Sequence, residues 1–157
     1  MPLIFLSRTL FSVSMTASVS PPLRTLHPPL AIKDFGGRGR GIVAIEDIEQ
    51  GQLVERSPVL IIPSNQRPAV DKTIIFTYVF MWEHGTIEQD LYKHQGRSAI
   101  ALGYTSLLSH SFEPNCNFVR HIDELFIDVF ATRMIPAGQE LTIDYQMTLW
   151  FDPVRIS

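Results

Sequence analysis

The sequence predicts a mostly β domain with one small helical insert. Short runs of β-branched and apolar residues recur from Leu30 onward, and glycines punctuate them at turn spacing. A third observation is an internal echo: Ala44-x3-Ile48-x2-Gly51-Gln52-x-Val54 returns as Ala131-x3-Ile135-x2-Gly138-Gln139-x-Leu141. In each copy a strand ends, an isoleucine enters the core, and glycine supplies the permissive backbone of a turn. Pro136 reinforces the second turn. Two distant copies make a recurring turn device rather than a repeat architecture.

Residues 1–29 form an N-terminal tail in this reading, ahead of a domain over 30–153 and a short C-terminal tail at 154–157. The tail is rich in Ser, Thr, Leu and Pro and carries Arg8 and Arg24, with no acidic residue before Asp34. That composition suits a disordered segment, an over-extended start with initiation at Met15, or an organellar transit peptide. Strands are expected over Ile42 to Ile45 and Leu53 to Ile62, where β-branched side chains suit a pleated surface. Asp71 to Trp82 is the helix candidate, with Ile74, Ile75, Tyr78, Val79 and Trp82 near helical spacing. Glu83 to Arg97 is polar and reads as a surface loop or short helix. Glu124 to Thr132 alternates, with Leu125, Ile127, Val129 and Ala131 on one face and Phe126 and Phe130 on the other.

With 157 residues, 45% of them apolar, the chain fits one domain with a single packed core. The formal net charge of -3 argues against a free nucleic-acid binder and suits a basic peptide partner better. Cys116 is the lone cysteine, so no internal disulfide and no cysteine-based zinc cluster can form. The five histidines show no HxxxH or HExxH spacing, and no metal site is expected. No apolar run reaches the roughly 18 residues of a spanning helix, so no membrane partner is expected.

Three motifs could carry chemistry. Gly36-Gly37-Arg38-Gly39-Arg40-Gly41 fails as a dinucleotide fingerprint, because Ile42 stands where GxGxxG needs glycine. On its own it is an ordinary hairpin turn. Ser109-His110-Ser111-Phe112-Glu113-Pro114-Asn115 is by itself a polar loop with a Pro-Asn turn. Glu140-Leu141-Thr142-Ile143-Asp144-Tyr145 places Leu141, Ile143 and Tyr145 on one strand face, with Tyr145 ending a buried row. A buried tyrosine needs a partner for its hydroxyl.

Taken in order, these motifs resemble the split active site of SET-domain protein lysine methyltransferases. Gly39-Arg40-Gly41-Ile42-Val43-Ala44 is similar to the opening GxG motif, and His110, Ser111, Pro114 and Asn115 match the family's Asn-His-Ser-x-x-Pro-Asn. Ala101-Leu102-Gly103-Tyr104 resembles the lead into that motif in minimal viral and microbial members, and Trp150 follows the matching tyrosine as it does there. The resemblance runs from about Leu30 to Pro153. It implies a SET-domain, β-clip-like fold of short strands and small sheets, with a threaded knot-like C-terminal segment. Such threading is rare elsewhere.

The resemblance also implies S-adenosyl-L-methionine as cofactor, Tyr145 as the catalytic residue, and cofactor contacts from Gly39, Arg40, Gly41, Ser109 and His110. In that reading the glycines let the backbone approach the methionine end of the cofactor, and the His110 backbone reads the adenine edge. Tyr104, Phe118 and Trp150 would line a substrate lysine channel, with Trp150 and Phe151 closing it. A protein lysine, histone or otherwise, would be the substrate, and minimal relatives allow a homodimer. The nucleus or cytoplasm would be the site of action, or an organelle if the tail is a transit peptide. Two departures matter. Ser109 replaces the usual Asn and loses the amide's bidentate reach. Phe112 stands where larger relatives place a zinc-binding cysteine, and no CxC follows Tyr145. The serine motivates a second hypothesis, a catalytically silent peptide-binding or scaffold module of the same fold.

Overall fold

A computed structural model describes residues 28–83 and 96–146. The chain opens with a hairpin of β1 (Leu30–Asp34) and β2 (Arg40–Ala44) across a 3-10 turn at Gly36–Arg38. Then come β3 (Leu53–Ile62), the single-turn helix α1 (Arg67–Val70), β4 (Val79–Met81) and β5 (Ser98–Ala101). The C-terminal half supplies β6 (Ser109–His110), β7 (Cys116–His121), β8 (Phe126–Ala131) and β9 (Glu140–Ile143). They assemble into two sheets, ordered β1-β2-β9-β6 and β4-β5-β3-β8-β7.

The expected strand over Leu53 to Ile62 is β3, paired antiparallel with both β5 and β8. The inward rows of the two sheets meet in one core, with Ile42, Val54, Ile127, Val129, Leu141 and Ile143 essentially buried. Each such side chain contributes roughly 1.5–3 kcal/mol on burial.

The internal echo has a structural meaning that the sequence alone did not disclose. Its two copies pair with each other. Ile48 and Ile135 form an antiparallel bridge, with each N–H donating to the other's carbonyl at 2.8 and 2.9 Å. Gly51 N–H donates to Ala131 O at 2.8 Å, and Gly138 N–H donates to Ala44 O at 2.7 Å. Both glycines hold positive φ, +80° and +83°, which a side chain would strain. The device therefore clamps the end of β2 to the start of β9 and the end of β8 to the start of β3.

Two expectations are corrected. Asp71 to Trp82 is not a helix: α1 ends at Val70, Ile74–Tyr78 is a 3-10 turn, and Val79–Met81 is β4, paired with β5. The β-branched content disfavoured a long helix, and the edge of β5 offered a strand partner. Leu125 does not share the buried row of β8. It sits in the turn before it, with φ of +59° and an exposed side chain. Asp128, on β8's other face, is buried and held by a two-pronged Arg56 contact at 2.7 Å. Residues 1–27 of the expected 1–29 tail, the expected tail over 154–157, and most of the polar stretch after Glu83 lie outside the described residues.

The five-stranded sheet curls until its edges approach. Phe80 of β4 meets Phe118 of β7 edge-on at 5.4 Å, and the Arg120 guanidinium donates to Met81 O. Trp82, Glu83, Phe118, Val119, Arg120 and Ile122 line the open groove between them.

Candidate active site

The three motifs converge on the four-stranded sheet. β9 lies between β2 and β6, pairing Ile42 with Leu141 on one side and Ser109 with Thr142 on the other. The β6–β9 pairing is parallel, and Ser111 N–H donates to Ile143 O at 3.0 Å. Backbone groups alternate along a strand, so the N–H and C=O of His110 face away from β9. β6 is an edge strand among the described residues, and the His110 backbone lies near enough to the Tyr145 phenol to influence it.

Asn115 ties the segments together. Its carboxamide donates to Glu140 O at 2.8 Å and accepts from Thr142 N–H at 2.8 Å, doing for β9 what a neighbouring strand would do. The side chain is buried, and the Asn115 carbonyl also accepts from Thr132 N–H at 2.9 Å. A residue with one donor and one acceptor on a short stem is needed here. The Pro114-Asn115 turn thereby joins β7, β8 and β9.

Tyr145 follows β9 and packs, half buried, against the core. Its hydroxyl donates to Leu108 O at 3.0 Å, and its backbone N–H donates to His110 Nδ1 at 3.2 Å. Burial raises the phenol above the ordinary tyrosine range; the His110 backbone opposes the rise, and Glu140 and Tyr78 add to it. Tyr145 is thus a neutral phenol whose proton is committed to a carbonyl, leaving oxygen lone pairs to accept. Such a phenol is suited to accept a hydrogen bond rather than to take up a proton. His110 is buried, and desolvation lowers its imidazole below the ordinary range, with Asp144 opposing. Because Nδ1 accepts, the proton sits on Nε2, which has no hydrogen-bond partner among the described residues.

The expected cofactor residues are thus brought together, with a change of reason at one glycine. Gly39 has φ of +83° and nothing within 4 Å of where a side chain would project, as suits a backbone open to a ligand. At Gly41 a Cβ would meet Glu140 Oε1 at 2.7 Å and the Phe35 ring at 2.9 Å. The protein's own packing requires that glycine. Arg40 begins β2 with an exposed side chain. Ser109 donates to Glu140 Oε1 at 2.7 Å.

Two of the expected channel residues are described. Phe118 is buried beside Phe80, lining the groove between the sheet edges. Tyr104 is exposed, and its backbone N–H donates to Glu55 at 2.8 Å. No contact among the described residues joins its ring to Tyr145. Trp150 and Phe151 lie outside the described residues. The sequence reading missed Tyr78, whose phenol is near enough to influence Tyr145, and Glu140, which touches Ser109 and Arg38. Cys116 is no nucleophile, since burial pushes its thiol up to about 12. Among the described residues no cluster of His, Cys, Asp or Glu could hold a metal ion, and no helix is long and apolar enough to cross a membrane.

Comparison with known proteins agrees with this geometry. Residues 39–146 match the SET domain family. A Schizosaccharomyces pombe protein named histone-lysine N-methyltransferase, H3 lysine-37 specific, is 28% identical over 81% of this chain and 80% of its own length. A Fusarium mangiferae H3 lysine-9 specific enzyme is 29% identical over 84% of this chain and 44% of its own. Among solved structures, the Neurospora SET-domain protein DIM-5, a histone lysine methyltransferase, superposes with a TM-score of 0.57 at 26% identity. That match covers 83% of this chain and 56% of DIM-5. A Plasmodium falciparum putative histone methyltransferase shares the fold, with a TM-score of 0.53 at 21% identity over 80% of this chain and 99% of that one.

The fold and the three-motif site define a SET-type protein, and the chain belongs to the SET-domain family. Its relatives place it with the protein-lysine methyltransferases of that family.

Proposed function

We propose that the protein transfers methyl groups from S-adenosylmethionine to lysine side chains of a protein substrate, with histone tails the first to test. The observation that carries this reading is the meeting of three sequence-distant motifs on one sheet beside the fixed Tyr145 hydroxyl.

The residues present fit the cofactor. The His110 N–H and C=O, which face away from β9, would suit the donor–acceptor edge of adenine, and Gly39 has no described atom within 4 Å of where a side chain would project. Ser109 and Glu140 offer oxygen acceptors to an ammonium, and exposed Arg40 offers a guanidinium to a carboxylate. When bound, S-adenosylmethionine supplies the methyl on a positively charged sulfur, the nitrogen–carbon bond forming as the carbon–sulfur bond breaks.

The chain's own task is to deliver the amine neutral and aligned. A free lysine has a pKa of about 10.4 and arrives protonated. An aromatic lysine channel, for which Phe118 and its neighbour Phe80 are the candidates, would disfavour the ammonium by desolvation, and the proton would leave to solvent. Tyr145, its own proton held by Leu108 O, presents lone pairs that orient the amine. Alignment at near-attack distance then does most of the work.

Ser109 favours a second reading, a silent module that binds peptide without transferring methyl groups. Titration calorimetry with S-adenosylmethionine separates the two. The enzyme reading predicts saturable binding at one site, and no binding under any salt condition would favour the silent module. The histone-directed relatives point to the nucleus as the place of action.

A further inference from the structure

Glu140 stands at the junction of the site's segments, bonded to both Arg38 and Ser109. Its side chain is only 7% exposed. Arg38 reaches both carboxylate oxygens, at 3.0 and 3.4 Å, from the tip of the β1–β2 hairpin. Arg38 also lies over the Phe35 ring at 4.5 Å. The Ser109 hydroxyl donates to Oε1 at 2.7 Å, and Oε1 fills the space that a Cβ on Gly41 would take. One carboxylate therefore touches all three motif segments.

A serine hydroxyl has one proton and two lone pairs. With the proton spent on Glu140, Ser109 Oγ can only accept. A fixed acceptor beside a buried carboxylate is the chemical complement of a primary ammonium. Arg38 is already occupied by Glu140 and Phe35, which leaves exposed Arg40 for an anionic group.

We propose that Glu140 is a positioning residue that turns Ser109 into a fixed acceptor for the α-ammonium of the methyl donor's amino-acid end. The proposal rests on the cofactor reading above. It explains how serine can serve where an amide would otherwise reach: the hydroxyl borrows its orientation from Glu140. Glutamine at 140 could not do this. Its amide must donate toward either Arg38, which is itself a donor, or Ser109, which would then turn its own proton outward at the ammonium.

The test is calorimetry on the full chain with two ligands, S-adenosylhomocysteine and its desamino analogue, which keeps the carboxylate but lacks the amine. Loss of a hydrogen bond to a charged group predicts that Ser109→Ala and Glu140→Gln each weaken S-adenosylhomocysteine binding about tenfold or more. The double variant should lose little beyond either single one, because the pair acts as a unit. The desamino analogue should bind wild type and both variants alike. Ser109→Asn should keep wild-type affinity, its amide donating to Glu140 while its carbonyl accepts. Equal losses for both ligands would make the role merely structural and overturn the proposal, as would additive losses or none. Wild type that binds neither ligand would instead remove the cofactor reading on which the proposal stands.

Discussion

Replacing Tyr145 by Phe removes a single oxygen, and the structure lets its two consequences be estimated separately. The ring stays packed against the core, and the backbone N–H contact with His110 Nδ1 is untouched. Folding loses the 3.0 Å hydrogen bond to Leu108 O, a net contribution of about 1 kcal/mol. That corresponds to a melting shift of about 4 °C in a domain of this size. Catalysis loses the oriented acceptor beside the amine. Removal of one preorganised polar group from an active site typically costs about 10²–10³ in kcat. The rate deficit should thus exceed by far what so small a loss of stability can produce. The assay is kcat and KM for labelled methyl transfer, run beside thermal melts of both proteins. A variant that melts within a few degrees of wild type yet methylates at the wild-type rate would refute the assignment of Tyr145.

Further outcomes follow from the same geometry. Asn115→Ala leaves Glu140 O and Thr142 N–H buried without partners and should cost about 3 kcal/mol or more, read by denaturant unfolding; a loss within measurement error would show that the carboxamide does not hold β9. In the proposed lysine channel, Phe118→Tyr would add a hydroxyl able to anchor a water beside the amine. Wild type should proceed to di- or trimethyl-lysine and the variant should shift toward monomethyl, so a wild-type product that stops at one methyl under excess cofactor would defeat this reading. His110 is held below the ordinary histidine pKa, so its neutral form contributes stability that is complete above about pH 6.5 and is lost as pH falls through the depressed folded value. Protonation at Nδ1 also ends its acceptance of the Tyr145 N–H. Melting temperature should therefore fall faster below about pH 6 in wild type than in His110→Asn; parallel curves would place the acid sensitivity elsewhere.

The parts of the fold that the sequence displayed are those where local preference and burial agree. β3 begins and ends in apolar and β-branched residues, Leu53-Val54 and Val59 to Ile62, and both glycines of the echo hold the positive φ expected of turns. The pairing of the echo's two copies was hidden, because nothing local in Ile48 announces Ile135. The segment after α1 was misread through its period. Phe76, Tyr78, Phe80 and Trp82 alternate, a pattern that favours a strand, and weighing it against helical spacing would have exposed both β4 and Tyr78. At the candidate site, motif order pointed to Ser109, His110 and Tyr145, and the fold brings their segments together. Glu140 was quoted only as part of its strand, since its partner Arg38 is 102 positions away. The packing of Glu140 and Phe35 against Gly41 was hidden as well, because glycine carries no label for what presses on it.

The central claim is that this site moves methyl groups onto protein lysines. Purified protein incubated with S-adenosylmethionine and a core-histone mixture, followed by mass spectrometry of the digested histones, tests it most directly. We expect methylation on defined lysines that depends on both the enzyme and the cofactor and falls away in Tyr145→Phe. A wild-type protein that binds S-adenosylmethionine yet methylates no lysine in histones or in a whole-lysate substrate pool would contradict it.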